Sequence, residues 1–207
     1  MEATYRTKAI VLDRSPYQEC DSQVAVYSWL SGRQNLIAKG TAKINSKLAG
    51  HLEPFNLVEL MVIRGRGADY AGAADSLAVA GALKGDWHKI QAGGYLLALY
   101  KKLLKPGESD RRVFLLLAQF IYWLNAIKAS PVYYQAIARL AAWKLLNLLG
   151  LADVAMLNPR CPHRIKKLLT DFGRADLVDN LKNLKLTSAE AGRLSVYLDR
   201  LIIHITE

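Results

Sequence analysis

A change of period constrains this chain more than any other feature. Up to about residue 76 the apolar residues fall in short runs, each bounded by Gly, Ser, Pro, Asn or Asp; beyond it they recur at helical spacing. Five runs read as strands: "TKAIVLDRS" at 7–15, "QVAVYSWLS" at 23–31, "RQNLIAKGT" at 33–41, "NLVELMVIRG" at 56–65 and "ADYAGAADS" at 68–76. In the fourth, Leu57, Glu59, Met61 and Ile63 alternate with Val58, Leu60, Val62 and Arg64, the pattern of a strand buried over most of its surface. "SGR" at Ser31–Arg33 signals a short hairpin, with glycine supplying positive φ. Strands this short and this closely spaced suit a small barrel that closes on itself and hides its edges.

The second half reads as helices. Asp86 is placed to cap a helix over 87–104 that stops at Pro106-Gly107. The segment 109–129 is apolar nearly all round, which predicts the central, most buried helix. Ser130 and Pro131 open a helix through 132–150 that ends on Gly150, and Thr187 with Glu190 forms a capping box ahead of 191–205. Shorter helices are expected at Arg164–Phe172 and Ala175–Leu181. The fold class is therefore α+β in two domains: a five-stranded OB-type barrel over 1–80, then an all-α domain over 81–207, with the boundary inside 76–86.

The 207 residues are 52% hydrophobic and 22% charged, a globular composition. The net charge of +10 is uneven: residues 1–80 hold nine basic and eight acidic side chains, and 81–207 hold nineteen and ten. Such an excess favours nucleic acid or an anionic membrane surface as partner. The longest apolar segment, "VFLLLAQFIYWLNAI", falls short of the roughly 20 residues that cross a bilayer, so no membrane role is expected. Cys20 and Cys161 form no disulfide framework, and "MEATYRTKAIVLD" is no signal peptide; both predict a soluble protein of a reducing cytoplasm.

Between Asp21 and Glu53 there is no acidic residue, and Lys39, Lys43 and Lys47 recur there at every fourth position among small and turn-forming residues. Phosphates need cations, and a nearby carboxylate would compete for them, so this stretch reads as a phosphate-binding rim. Arg14, Arg33, Arg64 and Arg66 fall at strand ends and join the DNA-binding candidates. Tyr17, Tyr27 and Trp29 are candidate stacking platforms, with core packing the competing assignment for Tyr27 and Trp29. Trp87, Trp123 and Trp143 read as helix-core residues. His51, His88, His163 and His204 are isolated, His51 beside Glu53 suiting a hydrogen-bonding role. Asp69 and Asp75 read as solvated, and "GRGADYAG" precedes a strand-like run, not the helix a phosphate loop needs. No catalytic constellation stands out and no carboxylate pair has two-metal spacing, so neither an enzyme nor a cofactor is expected.

The run from Tyr5 to Gly67 resembles the amino-terminal domain of the bacterial recombination mediators of the RecO family. The resemblance lies in "T-AIVL" near the start, Tyr17, Glu19 and Asp21, Gly32 with Ala38–Gly40, "KLAGHLEPF" at 47–55 and "GRG" at 65–67; "KLLNLLGLA" at 144–152 resembles the family's long helix and following turn. It implies a non-enzymatic bacterial protein, an OB-fold followed by helices, that binds single- and double-stranded DNA, anneals strands, contacts single-strand-binding protein and, with RecR, helps load RecA. The DNA-facing residues it implies are Lys39, Lys43 and Lys47, then Arg14, Arg33, Arg64 and Arg66. An alternative makes the helical half the main working part, an adaptor whose Arg111, Arg112, Arg139, Lys144, Lys166 and Lys167 receive the acidic, aromatic tail of single-strand-binding protein. The sequence departs from the family in one respect: many members carry four zinc-binding cysteines after the "LLGLA" turn, whereas "DVAMLNPRCPHRIKK" offers only Cys161 and His163. No metal site is expected there, and Cys161 reads as a small buried hydrophobe.

Overall fold

Five strands form where the alternating runs were found: β1 (Thr4–Tyr17), β2 (Asp21–Ser28), β3 (Gly32–Ala38), β4 (Leu57–Ile63) and β5 (Asp69–Ala78). The computed structural model describes residues 4–153, 157, 161–174, 177, 180–181 and 184–206. The strands close into a barrel in the order β1-β2-β3-β5-β4, all neighbours antiparallel except β3 and β5. β1 makes closure possible because it is long enough to serve two neighbours. Its first half pairs with β4 from Thr4 to Ile10 and its second with β2 from Ala9 to Tyr17, and a bulge between Val11 and Asp13 bends it. The ring leaves no long unpaired edge.

Alternation decides what fills the barrel. Val58, Leu60 and Val62 of β4 are fully buried, while Leu57, Glu59, Met61 and Ile63 on the other face are half-buried. Ala9, Val11, Val24, Val26, Leu36 and Leu52 complete the centre, with Ala71 and Ala74 from β5. The β2–β3 turn comes earlier than the expected "SGR": Ser28 pairs with Gly32, and Trp29, Leu30 and Ser31 form the loop. Gly32 has φ 62°, and a Cβ there would overlap the carbonyl oxygen of Glu108.

The helices are α1 (Gly81–Lys84), α2 (Trp87–Leu103), α3 (Arg111–Ala126), α4 (Pro131–Leu148), α5 (His163–Arg174) and α6 (Ser188–Thr206). Asp86 caps α2 as expected, its Oδ1 accepting the amides of His88 at 2.9 Å and Lys89 at 3.3 Å. The capping box ahead of α6 is reciprocal: Glu190 Oε2 accepts the Thr187 amide at 2.9 Å, and Thr187 Oγ1 accepts the Glu190 amide at 3.3 Å. The Thr187 amide, and then its hydroxyl, both donating to that carboxylate, hold the Glu190 carboxyl below its ordinary range. Ser130 makes no side-chain cap; its extended backbone and the proline at the next position start α4 instead. The short helix expected at Ala175–Leu181 falls mostly outside the described residues.

Two expectations are corrected. The most buried helix is α4, not α3. Tyr134, Ala136–Ala138, Leu140–Trp143, Leu145 and Leu146 are all buried, because the alanines leave room for α5 and α6 to pack on it. α3, although apolar nearly all round, exposes Leu115 and three quarters of Tyr122. Trp87 is not a core residue either: it opens the first turn of α2 and is 66% exposed. Trp143 does fill the core, donating its indole N–H to the Leu169 carbonyl at 2.9 Å, and Trp123 is half-buried against Tyr133.

The described residues divide into two compact units, one drawn from 1–80 and 97–118, the other from 81–96 and 119–207. No helix among them is long and apolar enough to cross a membrane. Replacing Gly32 with alanine adds left-handed strain to a backbone clash, and is expected to lower unfolding free energy by about 3 kcal/mol or more, read by denaturant titration.

Candidate nucleic-acid interface

The connection between β3 and β4 lacks regular structure, so its backbone groups need partners from elsewhere. Arg14 of β1 supplies two of them and binds two side chains as well. Its Nε donates to Ser22 Oγ at 3.2 Å, Nη1 to the Ala49 carbonyl at 2.9 Å and to Glu53 Oε1 at 2.8 Å, and Nη2 to the Thr41 carbonyl at 3.2 Å. One guanidinium thus pins the two feet of a loop over residues 42–48. Gly40 donates its amide to Asp21 Oδ1 at 2.8 Å, and Asn56 Nδ2 donates to the carbonyls of Gly50 and His51, each at 3.0 Å. His51 Nδ1 accepts the Ser76 amide at 3.1 Å, which places the proton of the neutral imidazole on Nε2.

The motif "KLAGHLEPF" is now intelligible residue by residue. Leu48 packs on the barrel core and Leu52 is fully buried in it. His51 anchors to β5, Glu53 answers Arg14, and Phe55 is buried at φ 72°, donating its amide to the Val11 carbonyl at 3.0 Å. Only Lys47 points outward. The acid that ends the acid-free stretch, half-exposed, is paired with Arg14.

Lys39, Lys43 and Lys47 are all exposed, as are Arg64 and Arg66, and none of the five has a carboxylate within ion-pair distance among the described residues. Ile44 projects completely into solvent between the two loop lysines. Strand register brings Lys39 and Arg64 to one end of the barrel: Tyr70 at the start of β5 pairs with Ile37 on one side and Ile63 on the other. Lys39 Nζ lies 5.0 Å from the centre of the Tyr70 ring, and the Arg64 guanidinium 5.3 Å from that of Tyr5. Gly65 lets these groups close up, since a Cβ there would overlap the Ala68 carbonyl oxygen and lie 3.0 Å from the Tyr70 ring. Asp69 is turned onto the Gly65 amide at 3.3 Å.

Two arginines proposed from sequence have other tasks. Arg14 is the loop staple just described, with its side chain only 19% exposed. Arg33 donates Nη1 to the Lys101 carbonyl near the end of α2, and its buried Nε lacks a hydrogen-bond partner. Strand ends attract arginines for internal closure as readily as for ligands, and sequence does not separate the two. Among the aromatic candidates Tyr17 stays exposed, but Tyr27 is buried, edge-on to Tyr100 at 5.7 Å, and burial pushes its phenol up from its ordinary pKa. Trp29 meets Phe114 edge-on at 5.2 Å and carries Arg111 on its ring, also at 5.2 Å. Tyr5 and Tyr70 were missed because only strand pairing reveals which cation each ring meets.

The helical candidates divide in the same way. Arg139 grips Asp199 through Nε at 3.0 Å and Nη2 at 3.2 Å and lies on the Tyr95 ring; burial, then the Asp199 charge, push that phenol up to about 12. Lys144 donates to the Phe172 carbonyl at 3.1 Å, near the end of α5. Arg112 pairs with Asp110 at 2.7 Å, and Arg111 and Arg112 belong to the barrel's unit. Lys166 is exposed, and Lys167 edges a groove floored by Ile165, Leu168, Phe172, Leu186 and Leu194. Arg164, Lys185 and Arg193, which the sequence did not single out, share that edge, although Arg164 is paired with Glu190. Cys161 is buried, and among the described residues no group of three or more His, Cys, Asp or Glu could hold a metal ion.

Comparison with known proteins adds a lineage to this geometry. The family model for the recombination protein O N terminal matches residues 1–77, and that for the recombination protein O C terminal matches 84–153. The DNA repair protein RecO of Roseiflexus sp. (strain RS-1) is 34% identical over 65% of this chain and 47% of its own length. That of Desulforamulus reducens is 32% identical over 71% of the chain and 56% of its own, and that of Gloeothece citriformis 26% over 97% and 68%. The chain spans about half the length of the first two of these curated relatives. A five-stranded barrel followed by helices, matched in order by both halves of one family, places the chain in the RecO family.

Proposed function

We propose that the barrel domain, residues 1–80, grips DNA by its phosphates without reading base sequence, and that the chain serves as a non-enzymatic recombination mediator in DNA repair. The observation that supports this most directly is the set of five exposed cations, Lys39, Lys43, Lys47, Arg64 and Arg66, unpaired among the described residues on a loop and strand ends of one barrel. Cations without carboxylate partners attract single and double strands alike, and by neutralising phosphates they lower the repulsion between complementary strands that anneal. The names of the relatives point the same way. Within the family's role, the chain acts in the bacterial cytoplasm, close to the nucleoid, and with RecR helps load RecA onto DNA coated by single-strand-binding protein.

A second reading gives the helical domain, residues 81–207, a docking task. Its support is the α5–α6 groove, whose apolar floor and edge of Lys167, Lys185 and Arg193 suit an aromatic side chain followed by carboxylates. The acidic, aromatic tail of single-strand-binding protein has that chemistry. The two readings coexist in one molecule, DNA on the barrel and a protein tail on the helices.

Alanine at Lys39, Lys43 and Lys47 together is expected to weaken binding to mixed-sequence strands about tenfold or more at moderate salt, and to slow annealing. Unchanged affinity would show the rim to be misassigned. Arg14→Met tests the staple: it should cost about 2–3 kcal/mol of stability, speed amide exchange over 42–48 and weaken DNA binding as a consequence. A phosphate-contacting Arg14 would instead lose affinity with exchange unaltered. For the groove, Lys167→Glu with Arg193→Glu should reduce binding of an acidic peptide ending in phenylalanine by about tenfold while DNA binding holds. Equal peptide affinity would remove the groove from consideration.

A further inference from the structure

Resting on the phosphate-grip reading, we infer that Tyr70 is a stacking platform for an unpaired base, so that this end of the barrel takes a single strand by a base as well as by its phosphates. Tyr70 and Tyr5 are both half-buried, at the starts of β5 and β1, and strand order sets β4 between them. One face of the Tyr70 ring carries Lys39 at 5.0 Å, whereas Tyr5, under Arg64 at 5.3 Å, packs against the barrel core. The Tyr5 hydroxyl accepts a hydrogen bond from Gln34 Nε2 at 2.7 Å and lies 3.3 Å from Ser31 Oγ, which fixes the ring in place. Gly65 keeps the approach to Tyr70 low, since a Cβ there would lie 3.0 Å from its ring.

Lys39, Tyr70, Gly65 and Arg64 thus lie at neighbouring strand ends, cations beside a ring. A nucleotide strand likewise sets a charge beside a plane. In the unbound protein Lys39 covers a face of the Tyr70 ring; a base that stacks there displaces the ammonium sideways, toward the phosphate beside that base. The exchange costs little, because an exposed cation–ring contact is worth only a fraction of a stacked base next to a charge-assisted phosphate contact. A duplex keeps its bases inside and meets only the cations, so the ring adds a preference that lysines alone do not provide.

The discriminating probe is an abasic oligonucleotide, which offers the phosphates of an oligothymidylate of equal length without its bases. The full chain is expected to bind the oligothymidylate roughly five- to a hundredfold more tightly than the abasic strand. Tyr70→Leu should shrink that ratio toward one, and Tyr70→Phe should restore it, because stacking needs the ring and not the hydroxyl. Equal affinity of the unaltered chain for the two strands overturns the inference, and so does a Tyr70→Leu protein, folded by circular dichroism, that keeps the full ratio. The two levels fail separately: loss of this ratio leaves the lysine rim intact, whereas full affinity in the triple-lysine protein removes the rim itself.

Discussion

The long β3–β4 connection of the barrel is held by one guanidinium. Arg14 reaches from β1 to Ser22 on the next strand and to Thr41, Ala49 and Glu53 of the long β3–β4 connection. Without that fork, the carbonyls of Thr41 and Ala49 and the Glu53 carboxylate would each need another donor. With it, a loop that has no regular structure holds a definite shape, and its lysines stand away from the barrel. One segment therefore has an arginine holding it from the barrel side and lysines exposed to solvent. The arginine that looks from sequence like a ligand holds the frame, and the lysines have no carboxylate partner among the described residues.

Cations elsewhere follow the same division. Arg139, Lys144 and Arg33 end on a carboxylate or on carbonyls near helix ends, where burial makes a fixed partner necessary. Lys39, Lys43, Lys47, Arg64 and Arg66 remain solvated and unpaired among the described residues. Cations without an internal carboxylate partner, these five among them, are the ones left for a partner molecule to meet.

Much of the fold could be read from the residues, because the signals are local. Alternation in "NLVELMVIR" put Val58, Leu60 and Val62 in the core, and Thr187 with Glu190 marked the start of α6. What failed depended on neighbours. α3 was expected at the centre because its residues are apolar on every side, yet burial follows how closely other helices approach, and the alanines of α4 allow that. Tyr27 and Trp29 are indeed packed inside the barrel's unit, as their strand context suggested, whereas the rings that meet exposed cations, Tyr5 and Tyr70, were not named because their partners lie on other strands. Arg14 and Arg33 show the converse limit: sequence gives the charge and not the atom it ends on.

The claim on which the rest turns is that unpaired cations on the barrel hold a polyanion by charge. Its most direct test is the salt dependence of binding to a mixed-sequence single strand. If each of the five exposed cations neutralises one phosphate, the logarithm of the binding constant should fall against the logarithm of salt concentration with a slope of roughly −3.5, at about 0.7 per phosphate. A slope near zero, with binding intact, would contradict the claim.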